Sequence, residues 1–396
     1  MKRQAGYVLP LLLISLFTVT MLWAVDIPDL DQRMNQARID KTGQALAEAR
    51  QALIAYAMSY DLDPEHAGNP RIGLLPCPDR NNDGSSDGAC GVRDDLAVGR
   101  LPFRTIAVPQ LRDGDGDCLW YVVAGRHKNN PDSDQAMNWD TPGQFDIVGY
   151  AGTALTGGAG SRAIAVVIAP HRPLTGVQRA NDGHPCPGGS DATAEIAGFV
   201  ESIAAATVAT PVTVGEGQFT DPTNNDSLTW VTVEDVFGRL LRSNHFATFL
   251  AQRTSVAADA VKPVFDSGGN FVGGLPAPEN PVSSSDDLRQ SGNLPDAGTL
   301  SIAGAEGRNH DDWREMYRYV RCVDASPCLT VNGAACRGML AFGGTPAGGQ
   351  TRPGVNVQDY FEEPMLSALT SVADSYSAAD TWDQARPTED SAACIN

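Results

Sequence analysis

From Tyr7 to Val25 the chain runs nineteen residues without a charged side chain. As a helix rising about 1.5 Å per residue, such a run matches roughly the hydrocarbon thickness of a bilayer. Lys2 and Arg3 precede it, and Asp26, Asp29 and Asp31 follow. Positive residues before an apolar span and acidic ones after it hold the N-terminus in the cytoplasm and send the bulk outside. A cleaved secretory signal is the alternative, but its apolar region would be shorter. A small-x-small cleavage site is also poor here, because Leu22 stands two residues before Ala24. Between Asp31 and Tyr60 there is no Pro and only one Gly, Gly43. Leu46, Ala49, Leu53, Tyr56 and Tyr60 recur at helical spacing, which predicts one apolar stripe. A single helix from Tyr7 to about Ser59, kinked at Pro28, is therefore expected. Pro64, Gly68 and Pro70 end it.

Charge and cysteines fit export. Lys and Arg number 29 against 48 Asp and Glu, a formal charge of −19. Nucleic acid is excluded as a partner, because phosphate binding needs a basic face. The 40 Gly and 26 Pro argue for short strands and many turns rather than a helical bundle. The eight cysteines are Cys77, Cys90, Cys118, Cys186, Cys322, Cys328, Cys336 and Cys394, with no CxxC and no zinc-type spacing. Outside the cytoplasm they read as disulfides. Expected pairs are Cys77 with Cys90, Cys118 with Cys186, and Cys322 with Cys328 or Cys336.

The rest of the chain carries an ordered internal repeat. Ile72–Pro78 matches Val272–Pro278, each ending in an LPxP turn. Leu119–Val123 matches Tyr317–Arg321, and Ala163–Ile168 matches Cys336–Ala341. Pro173, Gly176 and Arg179 match Pro346, Gly349 and Arg352, and Phe199–Glu201 matches Tyr360–Glu362. Helical stretches precede both LPxP turns, Gln44–Tyr60 and Val233–Val261. Five matches in one order indicate duplication rather than chance. The fold class expected is α+β: a long N-terminal transmembrane helix, then a two-module head of small antiparallel β-sheets packed on helices. The boundaries read as a short basic segment 1–6, helix 7–30, module one 31–228 and module two 229–396. A long loop, 266–309, lies inside module two.

The segment Met1-Lys2-Arg3-Gln4-Ala5-Gly6-Tyr7-Val8-Leu9-Pro10-Leu11 resembles a type IV prepilin leader. Gln51–Ala57, then Leu75-Pro76-Cys77-Pro78-Asp79, Leu101-Pro102-Phe103, Leu111-Arg112-Asp113 and Leu119-Trp120-Tyr121 resemble, in that order, the heads of prepilin-type proteins. The likeness covers about the first 125 residues well. It implies cleavage after Gly6 by a prepilin peptidase, a methylated Tyr7 as the mature N-terminus, and packing of the helix against other pilins or pseudopilins. Leu11 stands where the family usually has Glu. That loss, with the large head, implies a minor pilin or pseudopilin at or near a filament tip, in assembly initiation, capping or adhesion. The implied location is a single pass of the inner membrane with a periplasmic head, then the filament tip or cell surface. The other reading is a membrane-anchored periplasmic binding protein or enzyme with an uncleaved signal anchor.

Asp79, Asn81, Asp83 and Asp87 have the oxygen-ligand spacing of a calcium loop, with Gly84 after the third ligand. Cys90 stands where a bidentate Glu is usual, and Asp94 or Asp95 could replace it. A solvated turn is the alternative, because the same residue types make turns. Asp113-Gly114-Asp115-Gly116-Asp117 is a second acidic loop, read as a polar turn; the resemblance to pseudopilins adds calcium as an option there. The six histidines form no catalytic or zinc motif, and the Gly-rich runs lack the Lys-Ser/Thr of a phosphate loop. No catalysis is expected. The tryptophans read as core residues, except Trp139, for which exposure is expected.

Overall fold

The computed structural model describes residues 8–88, 90–91, 94–129, 136–179, 183–203, 211–324 and 326–396. Gly6 and Tyr7, the expected processing site, lie outside them. Helix α1 (Val8–Ser59) is one element of 52 residues. Its second half buries Thr42, Leu46, Ala49, Leu53 and Ala57 on one stripe, as the period requires, and Tyr60 just past its end continues it. Each large apolar side chain buried there contributes about 1.5–3 kcal/mol.

Four strands, β1 (Ala97–Arg100), β2 (Trp120–Val123), β3 (Phe145–Val148) and β4 (Ala163–Ala169), precede the short helix α2 (Ala192–Glu195). Strands β5 (Val212–Gly215) and β6 (Ser227–Thr232) complete the first sheet. Its order is β1-β2-β4-β3-β5, with β6 also on β4. Strand β4, Ala-Ile-Ala-Val-Val-Ile-Ala, is buried on both faces, which is why it reads as an unbroken apolar run. Tyr121, Val123, Ala165 and Val167 lie in the core shared with α1. Trp120, Val122, Val166 and Ile168 lie in a second core, with Ala192 of α2 and Phe199.

Helices α3 (Val233–Leu240) and α4 (Asn244–Val261) follow, with α3 opened by a Thr232–Asp235 capping box. Then come β7 (Val264–Phe265), β8 (Phe271–Gly273), β9 (Arg289–Asn293) and α5 (Gly304–Trp313). The chain continues with β10 (Tyr317–Cys322), β11 (Leu329–Val331), β12 (Ala334–Cys336) and β13 (Gly338–Phe342). It ends with α6 (Met365–Ser371), β14 (Ser375–Tyr376) and β15 (Ser391–Ile395). The main sheet here has the order β15-β13-β10-β9. Strands β12-β11-β14 and the β7–β8 hairpin form two smaller sheets.

The two halves pair residues that the repeat aligns. Tyr121 faces Val167 across the first sheet, and Tyr319 faces Leu340 across the second. Gly99 faces Tyr121, and Gly292 faces Tyr319. Both glycines are dictated by close approach. A Cβ on Gly99 would meet the Asp79 carbonyl oxygen at 2.6 Å, and one on Gly292 the Glu279 carbonyl oxygen at 2.5 Å. Arg179 Nε donates to the Gly198 carbonyl at 2.8 Å, and Arg352 Nε to the Asp359 carbonyl at 2.6 Å. Each guanidinium also lies over an aromatic ring, Phe199 or Tyr360, at 4.5 and 4.9 Å. The halves are not separate bodies packed at a polar seam, because one continuous core takes side chains from both.

Three expectations need correction. The membrane-spanning helix over 7–30 is overturned: among the described residues, no helix is long and apolar enough to cross a membrane. From Asp31 onward the helix carries Arg33, Arg38, Asp40 and Lys41. Trp139 is buried, not exposed. Its ring meets Phe246, Trp313 and Phe342 edge-on at 5.0–5.9 Å, so flanking Asn and Asp did not mark a surface. The 266–309 segment is not only loop: it holds β8, the edge strand β9 and the start of α5. Strand β6 runs through position 228, and the first sheet ends at Thr232.

Candidate functional site

The head grips the second half of α1 through specific polar contacts. Arg50 Nε donates to the Trp230 carbonyl at 2.7 Å, and its Nη2 meets Asp235 Oδ1 at 2.5 Å. The second acidic loop is another grip. Gly114 N donates to Thr42 Oγ1 at 2.9 Å, and Arg38 Nη1 lies 3.6 Å from Asp115 Oδ1. Gly114 abuts the α1 backbone at Arg38, so a side chain there would collide with the helix.

Asp113 organises that loop. Its Oδ1 accepts from the backbone N–H of Asp115, Gly116 and Asp117 at 2.8–3.0 Å, and its Oδ2 accepts from His171 N at 2.8 Å. Burial pushes the Asp113 carboxyl up, and the nearby His171 pulls it back. The His171 ring bridges Asp115 Oδ2 at 3.2 Å and Ser227 Oγ at 2.9 Å, tying the loop to β6. Asp117 is bound by Arg179. The arrangement positions a helix.

The Asp79–Asp87 loop spends its oxygens on its own backbone. Asp79 Oδ2 accepts from Gly84 N at 2.7 Å and Oδ1 from Asp83 N at 3.2 Å. Asn81 Oδ1 accepts from Asp83 N, Asp83 Oδ1 from Ser85 N, and Asp87 Oδ2 from Arg80 N. Asp79 is buried, which pushes its carboxyl up against the pull of those amides. Among the described residues, no group of three or more His, Cys, Asp or Glu is arranged to hold a metal ion.

The cysteines form four disulfides: Cys77–Cys90, Cys118–Cys186, Cys322–Cys328 and Cys336–Cys394. The first closes around the Asp79 loop. Four disulfides point to an oxidising environment, extracellular or periplasmic.

Two carboxyl pairs escaped sequence reading. Asp226 Oδ2 accepts from Glu201 N at 2.8 Å, and Asp390 Oδ2 from Glu362 N at 3.3 Å. Burial, then repulsion from Asp226, pushes the Glu201 carboxyl up to about 7. Burial, then repulsion from Glu362, pushes Asp390 up to about 8. The signal lay in the repeat, which aligns Glu201 with Glu362.

The outer part of α1 exposes a run of apolar side chains. Leu9, Leu12, Ile14, Leu16 and Phe17 are each about 60–69% exposed. The chain matches no protein-family model, and no curated protein or solved structure is similar to it.

Proposed function

We propose that the chain is a minor pilin or pseudopilin, placed at or near the tip of a type IV pilus or a type II secretion pseudopilus. Its head initiates assembly, caps the filament or adheres, and carries out no catalysis. One observation supports this most. A single 52-residue helix is held by the head over its second half, and its residues Leu9 to Val19 present an apolar surface that the described head leaves uncovered. An apolar helix face of that kind is buried by packing along other helices, here those of companion subunits. The resemblance of Met1–Leu11 to a prepilin leader adds a prepilin peptidase as the processing partner and Gly6 as the cleavage position. The disulfides suit a head that works outside the cytoplasm, on a filament or cell surface.

Replacing Gly6→Leu tests the reading. Loss of leader cleavage and loss of the chain from sheared filaments are expected. Unchanged processing and unchanged filament display would contradict it.

A further inference from the structure

The second sheet has an open cleft of about 910 Å³ on the face turned away from α4, lined by Gly292, Asn293, Arg314, Glu315, Arg318 and Tyr360 among others. Its carboxylates Glu279, Asp296, Asp311 and Glu315 are already engaged, Asp296 accepting from Thr299 N and Asp311 from Ala297 N. Arg314 binds Glu279 at 2.9 Å, and Glu315 Oε1 accepts from Asn138 Nδ2 at 2.6 Å. Arg352, behind Tyr360, lies 3.7 Å from Asp140. Arg318 differs. It is 3% exposed, its Nη1 donates only to the Glu315 and Tyr317 carbonyls, and its Nε has no partner. Its guanidinium lies over the Tyr360 ring at 5.2 Å. Among the described residues no carboxylate forms an ion pair with it, although a buried guanidinium is strongly favoured by one.

The first half of the molecule shows what covers the matching face. Trp120 occupies the repeat position of Arg318 and packs on Phe199, the counterpart of Tyr360, at 5.2 Å. The cation has moved one strand over: Arg100, paired across the sheet with Trp120, lies over that same Phe199 ring at 5.7 Å. Arg100 Nη2 receives a carboxylate, Glu195 Oε2, at 2.7 Å. Glu195 comes from α2, in a segment the second half lacks. Phe199 follows Arg179 by 20 positions, whereas Tyr360 follows Arg352 by only 8. Where the segment exists, an acidic strand-covering peptide fills the face and neutralises the cation. Where it is missing, there is a cleft and a cation that no carboxylate among the described residues contacts as an ion pair.

We propose that the Arg318 cleft binds an acidic segment of another polypeptide, whose carboxylate reaches Arg318 as Glu195 reaches Arg100. The site stands independently of the filament reading, and its failure would leave that reading untouched.

The test is a titration of the full chain with an end-blocked fluorescent peptide copying residues 187–199, read by anisotropy. Saturable binding is expected, at least tenfold weaker for the same peptide carrying Gln in place of Glu195. Arg318→Gln in the protein is expected to weaken binding at least tenfold. Because that variant removes a buried side chain, Asn293→Glu is the second arm: it offers Arg318 a cross-strand carboxylate and should compete with the peptide to the same extent. No saturable binding, equal binding of the Gln peptide, or unchanged binding by a folded Asn293→Glu protein would overturn the proposal. Glutarate is the small-molecule control. Weak displacement by glutarate supports a polypeptide ligand; displacement at the peptide's own concentration would overturn that part and assign a free dicarboxylate.

Discussion

Arg71 grips Asp312 with two hydrogen bonds of 2.6 Å, from Nε and Nη2, and joins the first LPxP region to α5 of the second half. Both side chains are buried, and Asp312 Oδ1 also accepts from Met137 N at 3.0 Å. Burial pushes the Asp312 carboxyl up to about 6 against the pull of Arg71. Removing one partner strands the other charge in the interior. Asp312→Ala is expected to cost about 3–5 kcal/mol in urea unfolding, whereas Arg71→Met with Asp312→Leu should cost far less. Equal losses in the single and double variants would contradict the pairing.

The carboxyl pairs make stability depend on alkaline pH. Folded values raised to about 7 at Glu201 and about 8 at Asp390 mean that folding favours the protonated forms. Their contribution is present below the unfolded carboxyl range and is lost as pH rises through 7 to 8. Asp226 also shifts upward, and Arg179 is the cation facing the first pair. Gln350, which donates to Glu362 Oε1 at 2.6 Å, faces the second. Buried His127, pushed down to about 3, opposes folding only at lower pH, where the unfolded imidazole is protonated. Between pH 6.5 and 9 the melting temperature should therefore fall. Glu201→Gln with Asp390→Asn should flatten that slope in a calorimetric series.

The Asp79 loop is held by its own amides. Asp79→Ala leaves Gly84 N without its acceptor and is expected to cost about 1–3 kcal/mol. With those oxygens engaged, a melt with chelator should match one with calcium. A shift of several degrees between them would assign the loop a cation.

The outer half of α1 should matter to assembly and not to head stability. Leu12→Asp with Phe17→Asp alters exposed positions, so the head's unfolding free energy should change by less than about 0.5 kcal/mol. Incorporation into filaments should be lost. Normal incorporation would contradict burial of this face by companion helices.

Local patterns carried much of the fold. The stripe from Leu46 to Tyr60 and the apolar run Ala163–Ala169 follow directly from side-chain periodicity. The LPxP turns and their strands were legible because a repeat shows them twice. Contacts between distant positions were not. Arg71 and Asp312 are 241 residues apart, and nothing near either marks the other. Trp139 misled because its neighbours are polar while its ring closes an aromatic cluster drawn from three other segments. The Arg318 cleft arises from a segment missing in one half, which only the superposed pairing of the two sheets reveals. The apolar N-terminal run suggested a membrane span by its length and flanking charges, but these do not specify whether lipid or neighbouring helices cover a helix.

We propose that this chain is a processed, pilin-like subunit. Mass spectrometry of the mature N-terminus tests it most directly. A chain beginning at Tyr7 with a methylated amine is the expected result. A chain that still begins at Met1 when recovered from cells with an active prepilin peptidase would contradict it.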